Sequence, residues 1–224
     1  MKQLTEEHLS VLRRHMVEVI EIEYDLMSEE IGHPRPAPQV RAALLKIPRH
    51  RFVPLQFALM AYQDRPLPIG FDKTISQPFM SALMVDMLEL TPASRVLEVG
   101  TGLGYQTALL AELAEEVWSV DVVEEFIAAA ASLLQQLDYA NVSLRVGDGT
   151  RGWADAAPFD AILVSAAARE IPEALIRQLK PGGRLVLPVG DETGQRLAQI
   201  RWDGGTEATV REIMSVMFTQ LETV

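Results

Sequence analysis

Arg95-Val-Leu-Glu-Val-Gly-Thr-Gly-Leu-Gly-Tyr105 decides the fold class. The apolar run Val96, Leu97 and Val99 predicts a buried strand that carries one acid, Glu98. It opens into a Gly-x-Gly-x-Gly turn (Gly100, Gly102, Gly104), after which Thr107-Ala-Leu-Leu-Ala-Glu-Leu113 has helical spacing. Glycines at a strand-to-helix turn let the backbone come close to a ligand, and the helix start beyond them offers unpaired N–H groups. The stretch therefore reads as a nucleotide-type site.

Its spacing narrows the type. The dinucleotide fingerprint Gly-x-Gly-x-x-Gly needs a third glycine where this chain has Tyr105, so a pyrophosphate is disfavoured. Glu98, just before the turn, is expected to point a carboxylate at the pocket, where it would repel phosphate and attract an ammonium or sulfonium group. S-adenosylmethionine carries an amino group and a positive sulfur and has no phosphate, so it is the cofactor expected. Asp121 closes the next strand, where a carboxylate can accept hydrogen bonds from a ribose diol or cap the helix from Glu124. Gly147-Asp-Gly149 closes the third strand, which places Asp148 and Gly149 beside the adenine; the plainer reading of Asp148 is a turn.

Outward from this centre, strands are expected at 117–120, 142–146, 159–164 and 183–188. They alternate with helices at 124–137 and 172–179, as in a parallel sheet covered on both faces. Residues 196–202 and 209–218 look antiparallel around Asp203-Gly-Gly205. The fold class expected is α/β, a Rossmann-like methyltransferase fold with a mostly parallel central sheet, an antiparallel C-terminal strand pair and an N-terminal helical extension. Residues 1–78 are read as a helical and substrate-loop segment packed on the core, and 79–224 as the Rossmann-like domain. One helix is expected from Thr5 to about Glu30, with a stripe of Leu9, Leu12, Met16, Val19, Ile20, Leu26 and Met27. That stripe would pack on its own domain, or pair with a second copy as a homodimer. Gly32-His-Pro-Arg-Pro-Ala-Pro38 is a stiff connector, a helix is expected over 39–46, and 62–78 is expected to be irregular with prolines at 66, 68 and 78.

Composition excludes several classes of function. A formal charge of −11 opposes nucleic-acid binding, and no apolar run in the 224 residues is long enough for a membrane span. There is no cysteine for a disulfide or thiolate, and the four histidines lack metal-ligand spacing, so no metal is expected. With no signal-peptide pattern at Met1–His8, a cytoplasmic enzyme is the expectation.

The remaining motifs carry a family resemblance. Phe52-Val-Pro54, Ala61-Tyr-Gln-Asp64, Leu67-Pro-Ile-Gly70, Thr74-Ile-Ser-Gln-Pro78, 95–108, Gly147-Asp-Gly149 with Gly152-Trp153, Pro158-Phe-Asp-Ala161 and 181–190 together resemble the protein-L-isoaspartate O-methyltransferases over nearly the whole chain. The resemblance implies methyl transfer from S-adenosylmethionine to the free α-carboxylate of L-isoaspartyl residues in damaged proteins, leaving S-adenosylhomocysteine. It implies that Ser76 is the active-site serine, with Thr74 and Ile75 lining the same pocket, although Ser76 read alone is equally a helix cap. A carboxylate with a pKa near ~3.5 is already a nucleophile at neutral pH, so no general base is needed.

Two departures fall on the substrate side. The family usually has Gly-x-Gly-Gln where this chain reads Gly70-Phe-Asp-Lys73, and an aromatic-Val-Pro-Leu ending where it reads Phe218-Thr-Gln-Leu221. The N-terminal helix and its connector also look longer than usual. Other readings of the residues are a carboxyl methyltransferase for a different peptide or small acid, and a non-catalytic S-adenosylmethionine-binding interaction protein.

Overall fold

In the computed structural model, which describes residues 5–205 and 208–222, the glycine-rich stretch emerges from the middle of a seven-stranded sheet. In chain order the elements begin with α1 (Glu6–Leu26), α2 (Ser28–Ile31), α3 (Pro38–Lys46), β1 (Leu67–Gly70), β2 (Lys73–Ile75) and α4 (Pro78–Asp86). The nucleotide-type core follows as β3 (Arg95–Val99), α5 (Tyr105–Ala111), β4 (Glu116–Asp121), α6 (Glu124–Gln136), β5 (Val142–Val146) and β6 (Phe159–Val164). The chain then runs through α7 (Glu173–Ile176), β7 (Leu179–Asp191), β8 (Gly194–Trp202) and β9 (Ala208–Val216).

The sheet order is β5-β4-β3-β6-β7-β8-β9, parallel through β7 and antiparallel over the last two strands. This is the expected Rossmann-like architecture. The strand order reverses at β3, and α/β sheets of this kind open a crevice beyond the carboxyl ends of their strands at such a point. Alternation of side chains along each strand builds two cores. Val96, Val117, Ala161, Leu163 and Val186 face α3 to α6, whereas Leu97, Val99, Val120, Ile162, Val164 and Leu185 face α7 and Trp153. Each such fully buried valine, leucine or isoleucine side chain stabilises the fold by roughly 1.5–3 kcal/mol.

The N-terminal helix breaks earlier than its pattern suggests. Thr5 Oγ1 accepts from the His8 N–H and the His8 ring reaches back to Thr5, a capping box. Met27 leaves helical geometry, and the short α2 then swings Ile31 into the core before Gly32 ends it at φ 98°. The buried face of α1 is Arg13, Met16, Val17, Ile20 and Tyr24, packed on α3 and α4 of its own chain, while Leu26 of the expected stripe is exposed.

Three further elements differ from expectation. Residues 62–78 hold a β-hairpin, β1 with β2, closed by Phe71 and Asp72 at φ 51° and 54°. Two left-handed residues give the turn whose twist suits a hairpin, and a two-stranded ribbon tolerates Pro68 because its outer edges need no donor. The helix expected over 172–179 is only α7, since Leu179 is drawn into the sheet opposite Phe159. The sequence pattern predicts a helix from about Phe79 to Leu90, but α4 stops at Asp86. No helix among the described residues is long and apolar enough to cross a membrane.

Candidate active site

A cleft of about 850 Å³, open space at its mouth included, lies at the carboxyl ends of β3, β4 and β6. Its walls come from the glycine turn, the β1–β2 hairpin, the Thr74–Ser76 segment and the C-terminal residues Thr219–Glu222. Of the residues singled out from sequence, Thr74, Ile75, Ser76, Gly100, Gly102, Asp121 and Gly149 lie on this cleft.

Ser76 is held from behind. The carbonyl of Ser76 accepts a hydrogen bond from Arg49 Nη2 at 2.6 Å, while its hydroxyl makes none with a described residue. The capping alternative fails because Asp64 serves the start of α4 instead. Its Oδ1 accepts from Phe79 N–H at 2.8 Å and its Oδ2 from Gln77 Nε2 at 2.5 Å. Ser76 therefore lines the cleft with its hydroxyl free of any partner among the described residues.

Asp121 fastens the glycine turn from the tip of β4. Its Oδ2 accepts from Gly102 N–H at 2.8 Å, and its Oδ1 accepts from Val123 N–H at 3.0 Å. Each oxygen keeps a lone pair for a ligand. A Cβ on Gly102 would sit 3.2 Å from Ile69 Cδ1, so the turn lies close under the hairpin.

Three residues expected at the cofactor do not line the cleft. Glu98 is the largest correction. As the even-numbered neighbour of Val96 it points toward α5, wholly buried, and its Oε2 accepts from Thr107 Oγ1 at 2.6 Å and Ser119 Oγ at 2.5 Å. Burial pushes its pKa up to about 8 against the pull of those two hydroxyls, and Asp121 nearby adds to the rise. Turned to Thr107 and Ser119 and away from the cleft, Glu98 does not present the pocket with the carboxylate that the sequence suggested. Gly104 is the N-cap of α5 at φ 91°, where a Cβ would meet Ala130 of α6 at 3.2 Å; its smallness serves helix packing. Asp148 takes its plainer role, with Oδ1 accepting from the N–H and Oγ1 of Thr150 at 2.9 and 2.6 Å. Gly149 reaches the cleft, and a Cβ there would lie 2.2 Å from Val99 Cγ1.

Sequence reading assigned no role to Arg49 or Ser81, and it took Tyr105 only as the residue that replaces a third glycine. Arg49 is 0% exposed, donates from Nε to Ala61 O at 2.8 Å, and lies 4.5 Å over the Tyr105 ring. Burial lowers its pKa, with Tyr105 and Asp64 countering. Arg49 Nη1, Tyr105 Oη and Ser81 Oγ are buried without partners among the described residues, and Tyr105 and Ser81 line the cleft. Buried polar groups are normally satisfied, so this floor suits a polar guest. The run Pro48-Arg-His-Arg-Phe-Val-Pro54 was the only available signal, and nothing in it marks Arg49 as buried.

The family model for protein-L-isoaspartate(D-aspartate) O-methyltransferase (PCMT) matches residues 23–223. The chain belongs to this family. Among curated relatives, protein-L-isoaspartate O-methyltransferase 1 of Polaromonas sp. JS666 is 46% identical over 219 residues, which are 98% of this chain and 93% of that protein. The enzyme of Trichlorobacter lovleyi is 51% identical over 171 residues, 76% of this chain and 79% of the relative. A solved protein-L-isoaspartate O-methyltransferase aligns with a TM-score of 0.75 at 26% identity, over 89% of this chain and 65% of that one. A Plasmodium falciparum structure described as a putative member, in complex with S-adenosyl-L-homocysteine, aligns at 0.73 with 24% identity, over 84% and 92% of the two chains. The sheet order and cleft described above are thus those of a PCMT-family methyltransferase.

Proposed function

We propose that the chain transfers a methyl group from S-adenosylmethionine to the free α-carboxylate of L-isoaspartyl residues in damaged proteins. The observation that carries this reading is Ser76: it lines the cleft with its hydroxyl unpartnered among the described residues while Arg49 holds its carbonyl and Asp64 takes over the helix start. The cleft fits the cofactor in the chemistry of its walls. Ile69, Val122 and Phe126 offer an apolar face for a nucleoside, Asp121 offers a carboxylate for a diol, and no arginine among the described lining residues asks for a phosphate. When bound, S-adenosylmethionine supplies an electrophilic methyl group on a positive sulfur.

The rest is done by the chain's own residues. No side chain has to remove a proton, because the substrate carboxylate is ionised already. Ser76 Oγ donates to one carboxylate oxygen and leaves the other free to attack. The hairpin and residues 219–222 exclude water and hold the acceptor in line, which is where the rate gain arises. In this reading residues 1–78 supply the substrate loop and one apolar wall of the cofactor site, and 79–224 supply the rest of that site and the substrate-side residues 219–222, with Glu98 supporting the glycine turn from behind and Asp148 shaping the loop that carries Gly149.

The test is transfer from labelled S-adenosylmethionine to an L-isoaspartyl peptide, with the normal aspartyl peptide as control. Base-labile label in the isoaspartyl peptide alone is expected; equal or absent labelling of the pair overturns the reading. Ser76→Ala is expected to slow turnover at least ten-fold with cofactor affinity within about two-fold of wild type, since one charge-assisted hydrogen bond contributes about 1.5–3 kcal/mol. Asp121→Ala is expected to weaken cofactor binding by roughly 1.5–3 kcal/mol through lost ribose bonds and a loosened Gly102 turn, read by calorimetry. Unchanged affinity would remove Asp121 from the site.

A further inference from the structure

Lys73 is the only cation among the described residues that line the cleft, and it stands three residues from Ser76 on the same strand and loop. It is not a loose surface lysine: its side chain is 21% exposed and its Nζ is ion-paired with the carboxylate of Glu222. Glu222, at 58%, is the more exposed partner. It follows directly on a tethered segment, in which Thr219 O accepts from Ala167 N–H at 2.8 Å and Leu221 N–H donates to Ala167 O at 2.8 Å. Gln195 binds Phe218 through both its backbone groups, at 2.7 and 3.0 Å. The mouth of the cleft thus already seats one carboxylate on Lys73, supplied by the chain itself.

We propose that Lys73 is a specificity residue that receives a second carboxylate of the substrate, and that Glu222 occupies its place in the free enzyme. This rests on the isoaspartyl reading given above. Three extended residues span at most about 10 Å, so the second carboxylate belongs to a residue within about three positions of the isoaspartyl one. An acidic neighbour exchanges one Lys73 ion pair for another and releases Glu222 to water, which favours the acidic peptide over its amide counterpart. A partly exposed pair of this kind discriminates by a few-fold rather than by orders of magnitude.

The experiment measures KM and kcat for C-terminally amidated isoaspartyl peptides flanked by Glu or by Gln, at low and high salt. A free-acid version of the Gln peptide separates an acidic side chain from a chain terminus. Wild type is expected to show a KM about five-fold lower for the Glu peptide at low salt, with kcat little changed and the preference shrinking at 0.5 M salt. Lys73→Gln is expected to abolish the preference and Lys73→Glu to reverse it. Glu222→Gln is expected to widen it, because the internal competitor is gone. Equal KM values in wild type, or a preference that survives Lys73→Gln, overturn the proposal while leaving the isoaspartyl reading intact. No transfer to any of the peptides by wild type overturns the isoaspartyl reading and this proposal with it.

Discussion

Arg49→Met is expected to unfold some 5–15 °C below wild type and to lose most methyl transfer. Methionine keeps the apolar stem of the side chain and removes both hydrogen bonds, so the carbonyls of Ala61 and Ser76 lose their donors. Each orphaned buried acceptor costs about 1–3 kcal/mol, or about 2–5 kcal/mol together, and a chain of this size shifts by roughly 2–4 °C per kcal/mol. Some of the loss is offset because a guanidinium no longer has to be buried. Arg49→Lys keeps the charge without the planar fork, so it should recover only part of the stability and activity. If Arg49 acts by positioning Ser76, the Arg49→Lys and Ser76→Ala losses in kcat will not add, and a double-mutant cycle reads this directly. Additive losses, or a melting point unchanged in Arg49→Met, would leave the guanidinium without this role.

Stability should fall as pH rises from about 5 to about 8, and Glu98 should account for much of the slope. Its pKa stands near 8 in the folded chain against 4.5 for an ordinary glutamate, so the folded state holds the proton that the unfolded state gives up. Stability linked to this group is fully present below about 4.5, is lost through the window, and levels off above about 8. At about 1.4 kcal/mol per pKa unit the whole change amounts to roughly 4–5 kcal/mol. Glu23, raised to about 7 by burial and then by Asp64, slopes in the same direction. Glu98→Gln isolates the Glu98 share, because a neutral amide can still accept from Thr107 and Ser119. Thermal unfolding from pH 5 to pH 9 should show wild type falling more steeply than Glu98→Gln, the two curves converging or crossing near pH 8. Parallel curves would mean that Glu98 is ionised in the fold.

Both predictions concern residues whose roles the sequence concealed, whereas the layout of the core was open to reading. The strands 142–146 and 159–164 have the bounds their patterns suggest, because an apolar run between turn residues in a parallel sheet has few other solutions. The glycine turn, the strand order and the cleft beyond it follow from local spacing combined with the handed packing of helices on a parallel sheet. The hairpin at 67–75 was concealed by its prolines, since only pairing across the turn shows that Pro68 needs no partner. Glu98 is the clearest case of a misleading local signal. Its place before Gly100 suggested a charge aimed at a ligand, but strand alternation turned it toward Thr107 and Ser119.

What the sequence by itself determined is therefore whatever depends on neighbours along the chain: the glycine turn, most strand bounds, and the family carried by Thr74-Ile-Ser-Gln-Pro78. Only the tertiary structure decided which polar groups face the cleft and in what charge state. Hydrogen-bond partners and dielectric surroundings come from distant segments. Asp64 relieves Ser76 of capping α4, Arg49 grips Ser76 from 27 residues away, Glu222 meets Lys73 across 149, and burial beside α5 raises the pKa of Glu98.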